Sequence, residues 1–280
     1  RLRVTGGMRR SPVIGAAMLW AILGGCPQAT RGAGLNTDVA LTPPKDGTIV
    51  RVQWRGSELG GDRTPLGRRA DMDVQPITFV HGATERLAIL GTVPIVHREI
   101  VFGSGMRKRD TGVADIPLLA KYRFLQHDRP GQTTRWAAIA GVEAPSFDAD
   151  FSSDSFDPIL GTVWTYQRRD WWVDWDVVYK FNTGAGLDSD DQLRADVAYS
   201  HRVLEGQNRK LGPWGLYVIG EWNSRHITDG SSQMFLSPGV QFITARWILE
   251  AGVQLPTHQH MRAPRLETDD TVVVSFRFQF

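Results

Sequence analysis

The sequence is poor in the features that most often disclose a function. A single cysteine among 280 residues excludes an internal disulfide framework and a cysteine-built zinc site. Charge of neither sign prevails: Lys and Arg number 32, Asp and Glu 30, for a formal net charge of +2. That balance indicates neither a nucleic-acid footprint nor an acidic tail. Beyond the N-terminus no apolar run approaches the ~20 residues of a spanning helix. The mean hydropathy of −0.25 is also too polar for a helical membrane protein. There is no Gly-x-Ser-x-Gly elbow. Gly103-Ser104-Gly105 and Gly184-Ala185-Gly186 lack the lysine and the strand-to-helix setting of a phosphate loop.

Tryptophan (10) and glycine (29) are abundant, as a membrane barrel needs for its interfacial girdles and its turns. The N-terminus reads as an export signal within residues 1–34. Arg9 and Arg10 precede an apolar stretch from Val13 to Gly25, and Met8 is placed as the natural start. Two processing readings compete. Leu23-Gly24-Gly25-Cys26 resembles a lipobox that would acylate Cys26, whereas the small residues Gly32-Ala33-Gly34 suit ordinary signal peptidase. Either route takes the chain out of the cytoplasm.

From Thr48 onward the chain reads as extended segments of about 10–13 residues, long for soluble sheets and suited to tilted bilayer spans. Twelve are expected: 48–57, 72–81, 86–97, 112–125, 134–145, 157–168, 171–182, 192–204, 214–224, 233–243, 246–256 and 270–280. Residues 35–47, with Pro43-Pro44, form an irregular leader. The alternation is clearest in 171–182, where Trp171, Val173, Trp175, Val177, Tyr179 and Phe181 oppose Trp172, Asp174, Asp176, Val178, Lys180 and Asn182. In the final segment Val272, Val274, Phe276, Phe278 and Phe280 share one face. Short links at 82–85, 169–170 and 244–245 roughly alternate with long polar links at 58–71, 98–111 and 257–269. Tight turns at one end and long loops at the other mark an outer-membrane barrel. The links at 126–133 and 205–213 look too long for their end. The predicted fold is an all-β, antiparallel up-and-down transmembrane barrel of about 12 strands over residues 35–280, with both termini periplasmic.

Several short motifs then recur in order. Gly112-Val113-Ala114-Asp115-Ile116-Pro117-Leu118-Leu119-Ala120-Lys121-Tyr122-Arg123-Phe124 is followed by Asp157-Pro158-Ile159-Leu160-Gly161 and by Tyr179-Lys180-Phe181-Asn182-Thr183. Ser237-Pro238-Gly239-Val240-Gln241, the run from Trp247 to Pro256 and the closing Phe-Arg-Phe-Gln-Phe complete the set. Over about 75–280 this pattern resembles the phenol-degradation meta-pathway outer-membrane family. The resemblance implies a transporter-like outer-membrane barrel that passes small molecules. It departs where Ala114 stands for a frequent glycine, and it is weak over 35–74. The terminal Phe280 also resembles the C-terminal aromatic signal read by the barrel-assembly machinery.

In such a barrel the polar faces become a hydrated lumen. The candidate lumen-lining residues are Lys121, Arg123, Asp174, Asp176, Arg194 and Glu250, which lie in the middle stretches of their strands. Charges of both signs argue against strong selectivity for simple ions. Outward Trp136, Trp164, Tyr166, Trp171, Trp175, Tyr199, Trp214, Trp222 and Trp247 suit interfacial girdles. His258 and His260 share a face, but no third metal ligand is evident. Ser200 and His201, being adjacent, point to opposite faces of a strand, while Ser224 and His226 share one. The expected function is a passive outer-membrane channel for small solutes, aromatic or hydrophobic ones included, gated by 98–111 and 146–156. The partners expected are the lipid bilayer, the assembly machinery and a small-molecule solute, with no nucleic acid. No catalytic residue, metal or cofactor is implied. The alternatives are a lipid-acting outer-membrane hydrolase and a purely structural barrel.

Overall fold

The computed structural model describes residues 34–148, 150–184, 190–209 and 211–280. The export segment and Cys26 lie outside the described residues. Thirteen strands follow one another: β1 (Thr48–Gly60), β2 (Arg69–Gly82), β3 (Leu87–Val101), β4 (Arg107–Val113), β5 (Ile116–Arg129), β6 (Gln132–Ala144), β7 (Asp157–Arg168), β8 (Trp171–Lys180), β9 (Gln192–Asn208), β10 (Gly212–Ile227), β11 (Ser232–Thr244), β12 (Trp247–His260) and β13 (Glu267–Gln279). Every ladder is antiparallel, and β1 pairs with both β2 and β13, which closes the sheet into a barrel. β4 and β5 share one position beside β3, with Ile95–Val101 paired to β4 and Leu87–Gly91 paired to β5. The wall therefore has twelve staves.

The expected strand at 112–125 is thus two strands, parted at Ala114-Asp115. Pro94 and Pro117 bear on the break, since neither can donate a ladder hydrogen bond. The Ala114 amide still donates to the Pro94 carbonyl at 3.0 Å. The long links also need correction. Residues 98–101 and 107–111 are not loop but the upper part of the β3–β4 hairpin. There Arg98 meets Asp110 and Glu99 meets Arg109 in register, so charge pairing replaces apolar contact above the membrane. The links that looked too long shrink to 130–131 and 209–211, because their flanking strands extend further than their polar sequence suggests. Gly131 and Gly212 adopt positive φ (75° and 71°) in these turns, a conformation open to glycine.

Side-chain alternation sorts the wall as the sequence predicts. Val218, Val240, Leu249, Val272, Val274 and Phe276 point outward and are all more than two-fifths exposed. In water such a continuous apolar surface would drive association; around a closed barrel it is the lipid-facing band. Near the short turns the outward aromatics form chains. Trp136 lies 6.2 Å from Trp164, Tyr166 5.4 Å from Trp171, and Phe242 5.5 Å from both Trp214 and Trp247. Those rings form the periplasmic girdle; Trp222 stands higher on its strand. The inner face carries a small apolar floor, where Trp172 packs 4.7 Å from Tyr217 beside Ile243 and Ile248.

A charge placed on the outer face should destabilise the barrel, whereas the same change inward need not. Val272→Arg, in the middle of β13, is expected to cost about 2–4 kcal/mol. Urea unfolding in lipid vesicles measures it, and a cost under about 0.5 kcal/mol would place that face away from lipid.

Candidate functional site: the filled lumen

The interior of the barrel is occupied by the chain itself. Residues 34–47 precede β1 and run inside the wall, with Leu35 only 1% exposed. Pro43 and Pro44 keep the segment out of any ladder. At its base the Asp46 amide donates to Gly82 O at 2.8 Å, and the Gly82 amide to Gly47 O at 2.9 Å. A side chain at position 82 would strike the Pro44 carbonyl, so glycine permits the approach.

Backbone buried without a ladder must find other partners. The wall supplies them by charge sign. Glu221 accepts the amides of Leu35 and Asn36, the second at 2.9 Å. Asp176 accepts the Asp38 amide at 2.6 Å, and the Thr165 hydroxyl accepts that of Ala40 at 2.9 Å. Thr165 in turn donates to Asp174 at 2.7 Å. Cations take the carbonyls. Arg277 donates to Gly34 O (2.9 Å), Arg51 to Leu35 O (2.7 Å), and Lys121 to Val39 O (2.9 Å). Lys121 also pairs with the Asp38 carboxylate. Glu250 holds the two arginines in place, at 3.0 Å from Arg51 and 2.7 Å from Arg277, and also accepts from Ser275 and Gln241.

Leu35 is seated by glycine. Gly239 of β11 and Gly252 of β12 are directly opposite in register, and both face inward. A β-carbon on either would fall within 2.6 Å of a Leu35 methyl. The paired glycines therefore form a flat patch that the leucine covers.

All six candidate lumen residues point inward, but they do not form one free surface. Lys121, Asp174, Asp176 and Glu250 hold the inner segment directly or through one neighbour. Arg194 bridges Asp176 (3.2 Å) and Asp196 (3.1 Å), which would otherwise face each other as like charges. Arg123 stands apart at the periplasmic end, donating to Glu85 O. Alternation also puts Glu221 and Arg277 on the inner wall, though not among the six candidates, while Thr165, Gly239 and Gly252 were passed over. Inward position alone was legible for each, but nothing in a single sequence says that residues 34–40 lie against them.

A cavity of about 790 Å³ remains beside the inner segment. Its lining runs from Arg123, Gln126 and Gln279 near the short turns to Lys180, Gln192 and Arg225 in the upper half. On the long-loop side, the Asp115 carboxylate accepts the amides of Ser146 and Ser153, each at 2.9 Å. Arg98 sits 4.8 Å above the Phe151 ring. The β3–β4 hairpin and the 145–156 loop thus pack on each other. Gly112 allows this, since a β-carbon there would collide with Asp148 and Phe151.

The other candidates do not assemble. Ser200 is buried inward while His201 lies outward against Tyr199. Ser224 donates to Ala195 O at 2.8 Å. His258 and His260 face outward, and among the described residues no group of three or more His, Cys, Asp or Glu is placed to hold a metal.

Comparison with known proteins agrees with this architecture. An outer membrane channel from Pseudomonas putida F1 superposes with a TM-score of 0.57 at 13% identity, covering 90% of this chain and 100% of that one. The beta domain of the Bordetella autotransporter BrkA gives 0.50 at 11% identity, over 84% and 100%. At these identities the likeness concerns the fold, that of an outer-membrane β-barrel. No curated protein matches the sequence.

The glycine seat and the carboxylate clamp predict how the inner segment is released. Thr37 is buried and its hydroxyl makes no hydrogen bond, so Thr37→Cys is a mild probe. Its alkylation by a small maleimide should accelerate at least tenfold when Glu221→Ala or Gly252→Val is added. Unchanged rates would mean that neither residue retains the segment. A family model described as "Putative MetA-pathway of phenol degradation" matches residues 55–259, and the chain belongs to that family of outer-membrane barrels.

Proposed function

We propose that this barrel is a passive outer-membrane channel for small solutes, aromatic and hydrophobic ones among them, and not an enzyme. The observation that carries the reading is the cavity of about 790 Å³ extending along the wall beside the inner segment. A purely structural barrel of twelve staves would have no need of a continuous hydrated space. Its width lies between barrels filled by side chains and wide-open porins. The segment over residues 34–45 narrows that width and sets what can pass. The hydrolase alternative would require a nucleophile and base in contact, and the Ser200–His201 and Ser224–His226 pairs are separated by face or already bonded elsewhere.

Purified protein in planar bilayers should show small, discrete conductance steps. Deletion of residues 34–45 should raise the step size at least threefold, because the lumen loses its filling. The absence of steps from both proteins would contradict the channel, and ester hydrolysis by the intact chain would favour the enzyme. Asp174 and Asp176 are poor sites for tuning ion selectivity, since both are fully buried. Lysine there should first displace the inner segment and raise conductance.

A further inference from the structure

We propose that the cavity selects small organic anions with an apolar body, the anionic end held by Arg225 together with Arg194 and Lys180. This rests on the channel reading and names its solute class. Counted along the whole inner wall, the charges look mixed. Counted at the cavity surface, they are not. Arg and Lys contribute eight side chains to the lining, against the carboxylates of Asp38, Glu85 and Glu143. Two of those three are paired, Asp38 with Lys121 and Glu143 with Lys180, and of the eight cations Arg51, Lys121, Lys180, Arg194 and Arg277 are ion-paired as well, so the excess of cations at the surface is partly compensated by the wall. Further inward carboxylates, those of Asp157, Asp174, Asp176, Asp196, Glu221 and Glu250, have turned to the inner segment or to neighbouring groups of the wall and its rim and are 0–2% exposed. A solute in the cavity therefore meets guanidinium and ammonium groups, and few free acids.

Arg225 is the focal point. It faces Arg194 directly across the β9–β10 ladder, a like-charge pair that an additional anion would stabilise. Arg194 is held by Asp176 and Asp196 yet leaves 46% of its side chain exposed. Arg225 is exposed, with no hydrogen bond or ion pair among the described residues. Two guanidinium groups so placed present forked donors suited to a carboxylate.

The register shows what lies beside them. Across β9, β8, β7, β6 and β5, Arg194 is followed by Val178, Gly161, Ile139 and Lys121. The adjacent inward row reads Lys180, Ile159, Gly141, Leu119 and then Leu90 of β3. Both rows pass from cations to aliphatic side chains and glycine, and most of these residues line the cavity. The surface is amphiphilic along its length. A simple inorganic anion would use only one end of it; a carboxylate carrying a ring or short alkyl body uses both.

Isothermal titration of the full detergent-purified chain with benzoate and with its neutral isostere benzamide tests this directly. The wild type should bind benzoate saturably and at least tenfold more tightly than benzamide. Arg225→Gln should weaken benzoate at least fivefold and leave benzamide unchanged, while Arg225→Lys keeps most of the affinity. Lys180→Gln is a second variant should Arg225→Gln fail to give the heat-modifiable band of a folded barrel. Equal affinities for the two probes, or no saturable benzoate binding by the wild type, would overturn the proposal. The channel reading is scored apart, in bilayers. Saturable benzoate binding by a protein that never conducts would sink the channel and keep the site, and conduction with equal probe binding would do the reverse.

Discussion

Inside a closed barrel there is no free sheet edge, so backbone that enters without joining a ladder must find its hydrogen-bond partners elsewhere, here mostly on wall side chains. The interior of this molecule follows from that constraint. The amides of Leu35, Asn36, Asp38 and Ala40 need acceptors, and the wall offers Glu221, Asp176 and Thr165. The carbonyls of Gly34, Leu35 and Val39 need donors, and Arg277, Arg51 and Lys121 reach them. The alternating signs around the wall thus copy the alternating polarity of a peptide chain. Glu250 sets two of the donors without touching the segment itself.

This arrangement also decides the character of the empty space. Glu221 and Asp176 turn onto the segment's amides, while Asp174, Asp196 and Glu250 turn onto neighbouring wall groups, so few carboxylates are left at the cavity surface. Because glycine at 239 and 252 accepts Leu35, the start of the segment lies against β11 and β12, and most of the wall residues around the open volume come from β1 to β10. Filling and selectivity are consequences of the same contacts. Loosening the segment would alter both the size and the charge of the passage.

Much of the shell was legible in the sequence. Period-two alternation in 171–182 and 271–280 fixed which faces meet lipid, and the aromatic positions near the short turns marked the girdle. The strand ends were less legible. Arg98, Glu99, Arg109 and Asp110 read as loop because they are charged, yet cross-strand pairing holds them in a hairpin beyond the bilayer. Polarity signals loop only where no partner strand stands opposite. The interior was least legible. Lys121, Asp174, Asp176, Arg194 and Glu250 could be named from alternation, but their partners lie in residues 34–40, more than 80 positions away for Lys121 and Asp38. No local pattern encodes such a pairing. Gly239 and Gly252 offered a hint, since paired inward glycines leave room for something to fill.

The central claim is that residues 34–40 are bound within the wall by these contacts. Asn36 and Asn223 approach side chain to side chain at 3.3 Å, which suits oxidative trapping. In membranes bearing Asn36→Cys and Asn223→Cys with Cys26→Ser, mild copper–phenanthroline oxidation should give a disulfide-linked peptide by mass spectrometry within minutes. Two thiols that resist cross-linking and are both freely alkylated would mean that the segment does not occupy the lumen.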